Sequence, residues 1–240
     1  MAFVHGKNTA VYYNGSNLSS YFNEASMSQD VETAETTAFG DSAKTYITGL
    51  KDGTMSMSGM FDGAEDAVDA VLTSTLGATA FDVSTVVPAG VSSSGVATFS
   101  AEVRETSYEI SSPVGDVVAA NLEVQATGGI DRGVLLAGDS TLSASATSSA
   151  VNNGSSTSNG GVGYLHVTAN DRDGASTFKV QDSADGVTYA DLVTFTNVSA
   201  SATGGERVAV TGTVEQYVQA EVVPGGSSGS VTYTMAFARK

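Results

Sequence analysis

The sequence predicts a mainly β protein with one helix, and three observations carry that prediction. Gly, Ser, Thr, Ala and Val are abundant while Leu and Lys are scarce, which favours strands joined by small-residue turns over helix bundles. Period-two alternation recurs, most cleanly in "TMSMSGMF", where Met55, Met57, Gly59 and Phe61 share one face and Thr54, Ser56, Ser58 and Met60 the other. Asn-Gly, Asp-Gly and Gly-Gly dipeptides, which accept positive φ at little cost, punctuate the runs. A chain of 240 residues is long enough to bury a real core without covalent staples.

In chain order, Thr9 to Tyr13 reads as a strand closed by the Asn14-Gly15 turn. From about residue 17 to 50 periodicity fades among Thr, Glu, Asp and Ser, which predicts an unusually long loop held by a partner. After the Met55 strand, "DGAEDAVDAVLTSTLG" predicts a helix over about 63–76. Asp62 is its N-cap candidate with Glu65 three residues on, Val68, Val71, Leu72 and Leu76 are its apolar stripe, and Gly77 is its C′ residue. Strand-like runs follow at Thr79–Thr85, Gly95–Ile110 and Asp116–Gly129. Residues 138–162, rich in Ser, Asn and Gly, read as a linker between a domain at 1–137 and one at 163–240. Beyond it, "GYLHVTAN", "ASTFKVQDSADGVTYADLVTF", "ERVAVTGTVEQYVQAEVV" and "SVTYTMAFAR" predict a C-terminal β-sandwich, Ig-like or jelly-roll.

Charge and missing chemistry narrow the function. The formal charge is −16, and it is uneven: through Ala150 there are 18 acids against 5 bases, an excess of −13, and afterwards 8 against 5, an excess of −3. Such a surface repels phosphate backbones and argues against nucleic-acid binding. No cysteine is present, which removes disulfides and thiolate chemistry. The start lacks an apolar signal region and no segment is long and apolar enough to span a bilayer, so the expectation is a soluble protein made in the cytoplasm, with no membrane insertion.

The only histidines, His5 and His166, are far apart in sequence, and His166 reads as a strand position. "NDRDG" (170–174) and "DSADG" (182–186) resemble calcium loops but lack the full spacing and the distal glutamate, and read more simply as Asp-capped turns. The carboxylate pairs Glu102/Glu105 and Glu32/Glu35 are expected by chance in so acidic a chain. No enzyme activity, cofactor or metal is expected.

The ordered set formed by the strand ending at Asn14-Gly15, "NLSSYFNEAS" (17–26), "ETTAFGDSAKTYITGLKDG" (35–53), "TMSMSGMFDG" and the helix after it resembles the major tail protein, or tail tube protein, of long-tailed siphophages. "ETSYEISSPVGD" (105–116) and the C-terminal strands extend the resemblance over most of the chain. It implies a tail-tube-type β-sandwich or barrel with one flanking helix, assembled as stacked, six-membered rings into a hollow tube through which DNA passes without specific binding. It also implies a homo-oligomer in the virion that meets tape measure, tail terminator and distal tail proteins. In that family the long loop reaches neighbouring subunits and rings. Here that implies Phe39, Tyr46, Ile47 and Leu50 as apolar anchors and Asp41 and Lys44 as cross-subunit pairing groups. A competing expectation is a glycan-binding decoration or adhesion module, with Tyr164, Tyr189 and Tyr217 as stacking residues.

Overall fold

The computed structural model describes residues 3–240, and it is mainly β with antiparallel sheets and one α-helix. The strands are β1 (Ala10–Tyr13), β2 (Ser16–Asn17), β3 (Phe22–Glu35), β4 (Tyr46–Met60), β5 (Asp82–Val87), β6 (Ala97–Ser111), β7 (Ala119–Leu142), β8 (Ala146–Thr147), β9 (Val151–Asn152), β10 (Gly161–Asn170), β11 (Gly174–Ser183), β12 (Ala190–Thr194), β13 (Gly204–Val210), β14 (Tyr217–Gly225) and β15 (Val231–Arg239), with α1 at Val68–Thr75. No helix among the described residues is long and apolar enough to cross a membrane.

The chain divides into two units, the first holding everything up to Phe22 together with Asp82–Ser100 and Asp131–Lys240. It is a two-sheet sandwich. One sheet runs β13-β10-β15-β7-β6-β5-β1-β2, the other β12-β11-β14-β8 with β9 also beside β14. Leu136, Leu165, Val167, Phe237 and Met235 from the first sheet pack with Phe178, Val180, Val193, Val218 and Val222 from the second, which fixes the inward face of each strand. The strands expected to form a C-terminal sandwich lie in both sheets, but 163–240 is not a unit by itself: residues up to Phe22, Asp82–Ser100 and Asp131 onward belong to the same unit.

The expected linker at 138–162 is instead stitched into the sheets. Gly138–Leu142 finishes β7, where Ser140, Thr141 and Leu142 pair with β15. Ala146–Thr147 and Val151–Asn152 pair with β14. Composition misleads here because backbone N–H and C=O groups can complete a sheet edge whatever small side chains they carry.

The second unit, Asn23–Phe81 with Ala101–Ile130, is an antiparallel sheet in the order β3-β4-β7-β6. Thr54 pairs with Gln125 and Met60 with Ala119, which sets the register, and Met55 and Met57 are buried as their alternation predicts. α1 packs on β6 through Thr75 Oγ1, which donates to Glu105 Oε2 at 2.6 Å, and through the Tyr108 hydroxyl, which donates to Asp69 Oδ1 at 2.9 Å. Burial, and then that hydrogen bond to the Asp69 carboxylate, push the Tyr108 phenol above its ordinary range.

The helix is shorter than expected. Asp66 sits at φ +60°, which breaks the helical path, and the N-cap is Ala67 with no side-chain hydrogen bond. Asp62 instead closes the preceding turn, its Oδ1 accepting from the Ala64 N–H. Gly77, at φ +75°, ends the helix as predicted.

The Asn14-Gly15 turn is also borne out, and it is tightly fitted. Gly15 has φ +87°, and a Cβ there would lie 2.4 Å from the Gly204 Cα. Gly15→Ala is therefore expected to cost about 2 kcal/mol or more through strain and backbone displacement. Thermal unfolding checks this, with a midpoint drop of about 4–8 °C expected.

Candidate assembly surface

The segment predicted as a long loop is a two-stranded arm. β3 and β4 pair, and most of β3 and the first half of β4 are exposed on both faces. That exposure is why no hydrophobic alternation marks them, since alternation records a buried face and the arm has none within this chain.

The arm's tip is held by its own hydrogen bonds. The Thr36 N–H donates to the Thr45 carbonyl at 2.8 Å and their hydroxyls meet at 3.1 Å. Asp41 Oδ2 accepts from the Ala38 N–H at 2.8 Å, and Lys44 Nζ pairs with Glu35 at 2.9 Å. The Lys44 ammonium, with help from the Thr37 hydroxyl, holds the Glu35 carboxyl below its usual range. Asp41 and Lys44, implied as cross-subunit partners, are thus engaged in shaping the tip of their own arm.

The four residues that the resemblance implies as apolar anchors stand bare. Phe39 is fully exposed at 111%, Leu50 is 76% exposed, and Tyr46 and Ile47 are more than half exposed. At the other end of the same sheet Val114 and Val117 in the β6–β7 turn, and Ile110 near the end of β6, are exposed as well. This acid-rich unit holds 15 acids and 3 bases, a net of −12, against 11 and 7, a net of −4, in the sandwich unit. Twelve of those fifteen carboxylates are exposed, so the negative field stands at the surface of the arm-bearing unit.

The remaining candidates resolve into structure. Among the described residues no cluster of His, Cys, Asp or Glu could hold a metal ion. The "NDRDG" carboxylates bind backbone: Asp173 Oδ1 accepts from the Ser227 and Ser228 N–H groups at 2.7 and 3.0 Å, and Asp171 accepts from Ser230. These N–H donors hold both carboxyls below their ordinary range. Between them Arg172, buried, donates to the carbonyls of Gly225, Gly226, Gly229 and Ser143. In "DSADG", Asp185 Oδ1 caps the Val187 and Thr188 N–H groups, and Asp182 accepts from the Glu215 N–H. Backbone N–H donors hold Asp185 down at about 2. Glu105 is buried against Thr75 and Glu35 is paired with Lys44, so each carboxylate pair has a member committed elsewhere.

His5 accepts from the Lys7 N–H in a short turn. His166 is buried, its Nδ1 accepting from the Gly15 N–H at 3.3 Å and its Nε2 standing 2.9 Å from Thr85 Oγ1, which donates on to Ser100 Oγ. The proton therefore sits on Nε2. Burial depresses this imidazole to about 3.

Of the three tyrosines expected to stack on glycan, Tyr164 is excluded. Its ring is buried and its hydroxyl donates to Asp131 Oδ2 at 2.7 Å. Tyr189 and Tyr217 are half-buried near the 182–186 turn. The Arg172 clamp and the His166 chain were not singled out from sequence. A lone arginine between two aspartates, opposite a "GGSSG" run, was the one signal for the clamp.

No protein-family model and no curated protein matches the chain. Among solved structures it is similar to a chain of the virion of a native gene transfer agent particle, at 12% identity and TM-score 0.44, covering 54% of this chain and 98% of that one. It is also similar to the sheath/tube terminator of an extracellular contractile injection system, at 13% identity and 0.42, covering 55% and 97%. A third is SPP1 Dit, a hub adsorption protein of phages infecting Gram-positive hosts, at 14% identity and 0.37, covering 96% and 98%. All three TM-scores lie below 0.5.

Proposed function

We propose that this protein is a non-catalytic virion subunit that polymerises through its β3–β4 arm into stacked rings, forming a phage tail tube that conducts the genome. The observation that carries this reading is the arm itself: an internally hydrogen-bonded hairpin presenting Phe39, Tyr46, Ile47 and Leu50 to nothing in its own chain. Bare aromatic and aliphatic side chains on a shaped support, Tyr46 and Leu50 on one face of β4 and Ile47 on the other, are the anatomy of binding anchors. Asp41 and Lys44 set the shape of the tip, and the apolar four supply adhesion to neighbouring copies. The exposed carboxylates of the same unit face the passage and repel DNA, so a duplex slides without a deep binding well. Rings are six-membered, assembly takes place in the host cytoplasm, and the tube meets tape measure, terminator and distal tail proteins at its ends.

Electron microscopy of the purified, concentrated chain tests the proposal. Tubes or rings of uniform width are expected, forming more readily as salt rises to screen the −12 unit. Phe39→Asp with Leu50→Asp should abolish them while changing stability by less than about 0.5 kcal/mol, as both sites are exposed. Tubes that persist in the double variant would overturn the arm's role, and a basic lumen in an assembled tube would overturn the conduit.

A further inference from the structure

We infer that the three Asn-Gly dipeptides, Asn14-Gly15, Asn153-Gly154 and Asn159-Gly160, are deamidation sites held closed by the fold, and that Asn153 is the first to open. In an unrestrained Asn-Gly pair the glycine amide nitrogen attacks the asparagine side-chain carbonyl carbon. The N–Cγ bond forms, the Cγ–Nδ2 bond breaks, and Nδ2 leaves as ammonia with the proton from the amide. Water then opens the succinimide to aspartate or isoaspartate. The attack requires a free glycine N–H and a mobile backbone.

The fold occupies all three. The Gly15 N–H donates to His166 Nδ1 at 3.3 Å in a buried setting, and the Gly160 N–H donates to the Gly212 carbonyl at 2.8 Å across the chain. The Gly154 N–H donates to Asn152 Oδ1 at 2.8 Å, a contact two residues back at the surface. The electrophile there is held too, Asn153 Nδ2 donating to the Gln216 carbonyl at 3.2 Å and lying 3.4 Å from the Val151 carbonyl.

The three locks open at different scales. Freeing Gly15 means disrupting the core around His166, and freeing Gly160 means separating two backbone segments. Freeing Gly154 takes one rotamer change of the exposed Asn152, which also gives up the Gln216 Nε2 donor to the same oxygen at 3.0 Å but disturbs no backbone pairing. The product matters locally: a carboxylate at position 153 cannot donate to the Gln216 carbonyl, so the pairing of β9 with β14 loosens.

The test is peptide mass spectrometry of the full chain incubated at about pH 8 and 37 °C, folded and in urea, following the gain of about one mass unit at each asparagine. In urea the three sites should react at similar rates. Folded, all should slow, with Asn153 leading and Asn14 at least about tenfold behind its urea rate. Asn152→Ala should accelerate Asn153 several-fold and leave Asn14 and Asn159 unchanged. Equal folded and unfolded rates, a lead by Asn14 or Asn159, or an Asn152→Ala chain that deamidates like the parent would each overturn the inference.

Discussion

Replacing Arg172 with methionine is expected to cost about 3–4 kcal/mol and lower the thermal midpoint by about 10 °C, the largest single-site effect anticipated in the molecule. The guanidinium is buried and divides its donors among four carbonyls, with Nε to Gly225 at 2.7 Å, Nη2 to Gly226 at 3.1 Å, and Nη1 to Gly229 at 2.5 Å and Ser143 at 3.3 Å. Methionine keeps the stem volume and leaves those acceptors without their donor, while Asp171 and Asp173 continue to hold Ser230, Ser227 and Ser228. Lysine should not rescue, because one ammonium cannot reproduce a planar fork reaching carbonyls on several sides. Denaturant and thermal unfolding of the parent, R172M and R172K decide the matter. An R172K protein as stable as the parent would remove the clamp from the account.

Acid should destabilise the protein well before its carboxylates protonate. His166 has a folded pKa of about 3 against an ordinary 6.5, so between those values the unfolded chain binds a proton that the folded chain refuses. Its contribution is therefore fully present above pH 6.5 and is lost as pH falls through that window, at about 1.4 kcal/mol per pH unit. Between pH 6.5 and 4.5 the loss is about 2–3 kcal/mol. Asp173 and Asp185, whose folded values are also depressed, lose their contributions only below the ordinary carboxylate range, so the upper window belongs to the histidine. A His166→Gln chain should be less stable at pH 7 and nearly flat from 6.5 to 4.5, and a variant whose stability still falls with the parent's slope would refute the assignment.

Residues that bury one face were legible in the sequence, and residues that bury none were not. Met55 and Met57 alternate because the second half of β4 buries one face more than the other, and the C-terminal strands carry a period because their inward residues face a second sheet. β3 was hidden because its polar side chains face solvent on both sides, and β8 and β9 because two-residue strands of Ala, Thr, Val and Asn carry no period at all. The division into units was hidden for a different reason. Tyr12 and Tyr13 look like any apolar strand, and only pairing with β5 about 70 residues away places them in the sandwich unit. The bare anchors at Phe39 and Leu50 were placed by resemblance, whereas the self-capped tip that holds them emerges only from the hydrogen bonds of the arm.

The β3 strand is fourteen residues long and, among the described strands, pairs only with β4, leaving its outer rim of N–H and C=O groups open. A rim of that length invites indiscriminate cross-β growth in a crowded solution. It carries Glu24, Asp30, Glu32 and Glu35, the charged gatekeepers that slow such growth. Four carboxylates spaced along one open rim repel a second copy of the same rim, so the long strand stays available to a partner of complementary charge and shape while resisting pairing with its own kind.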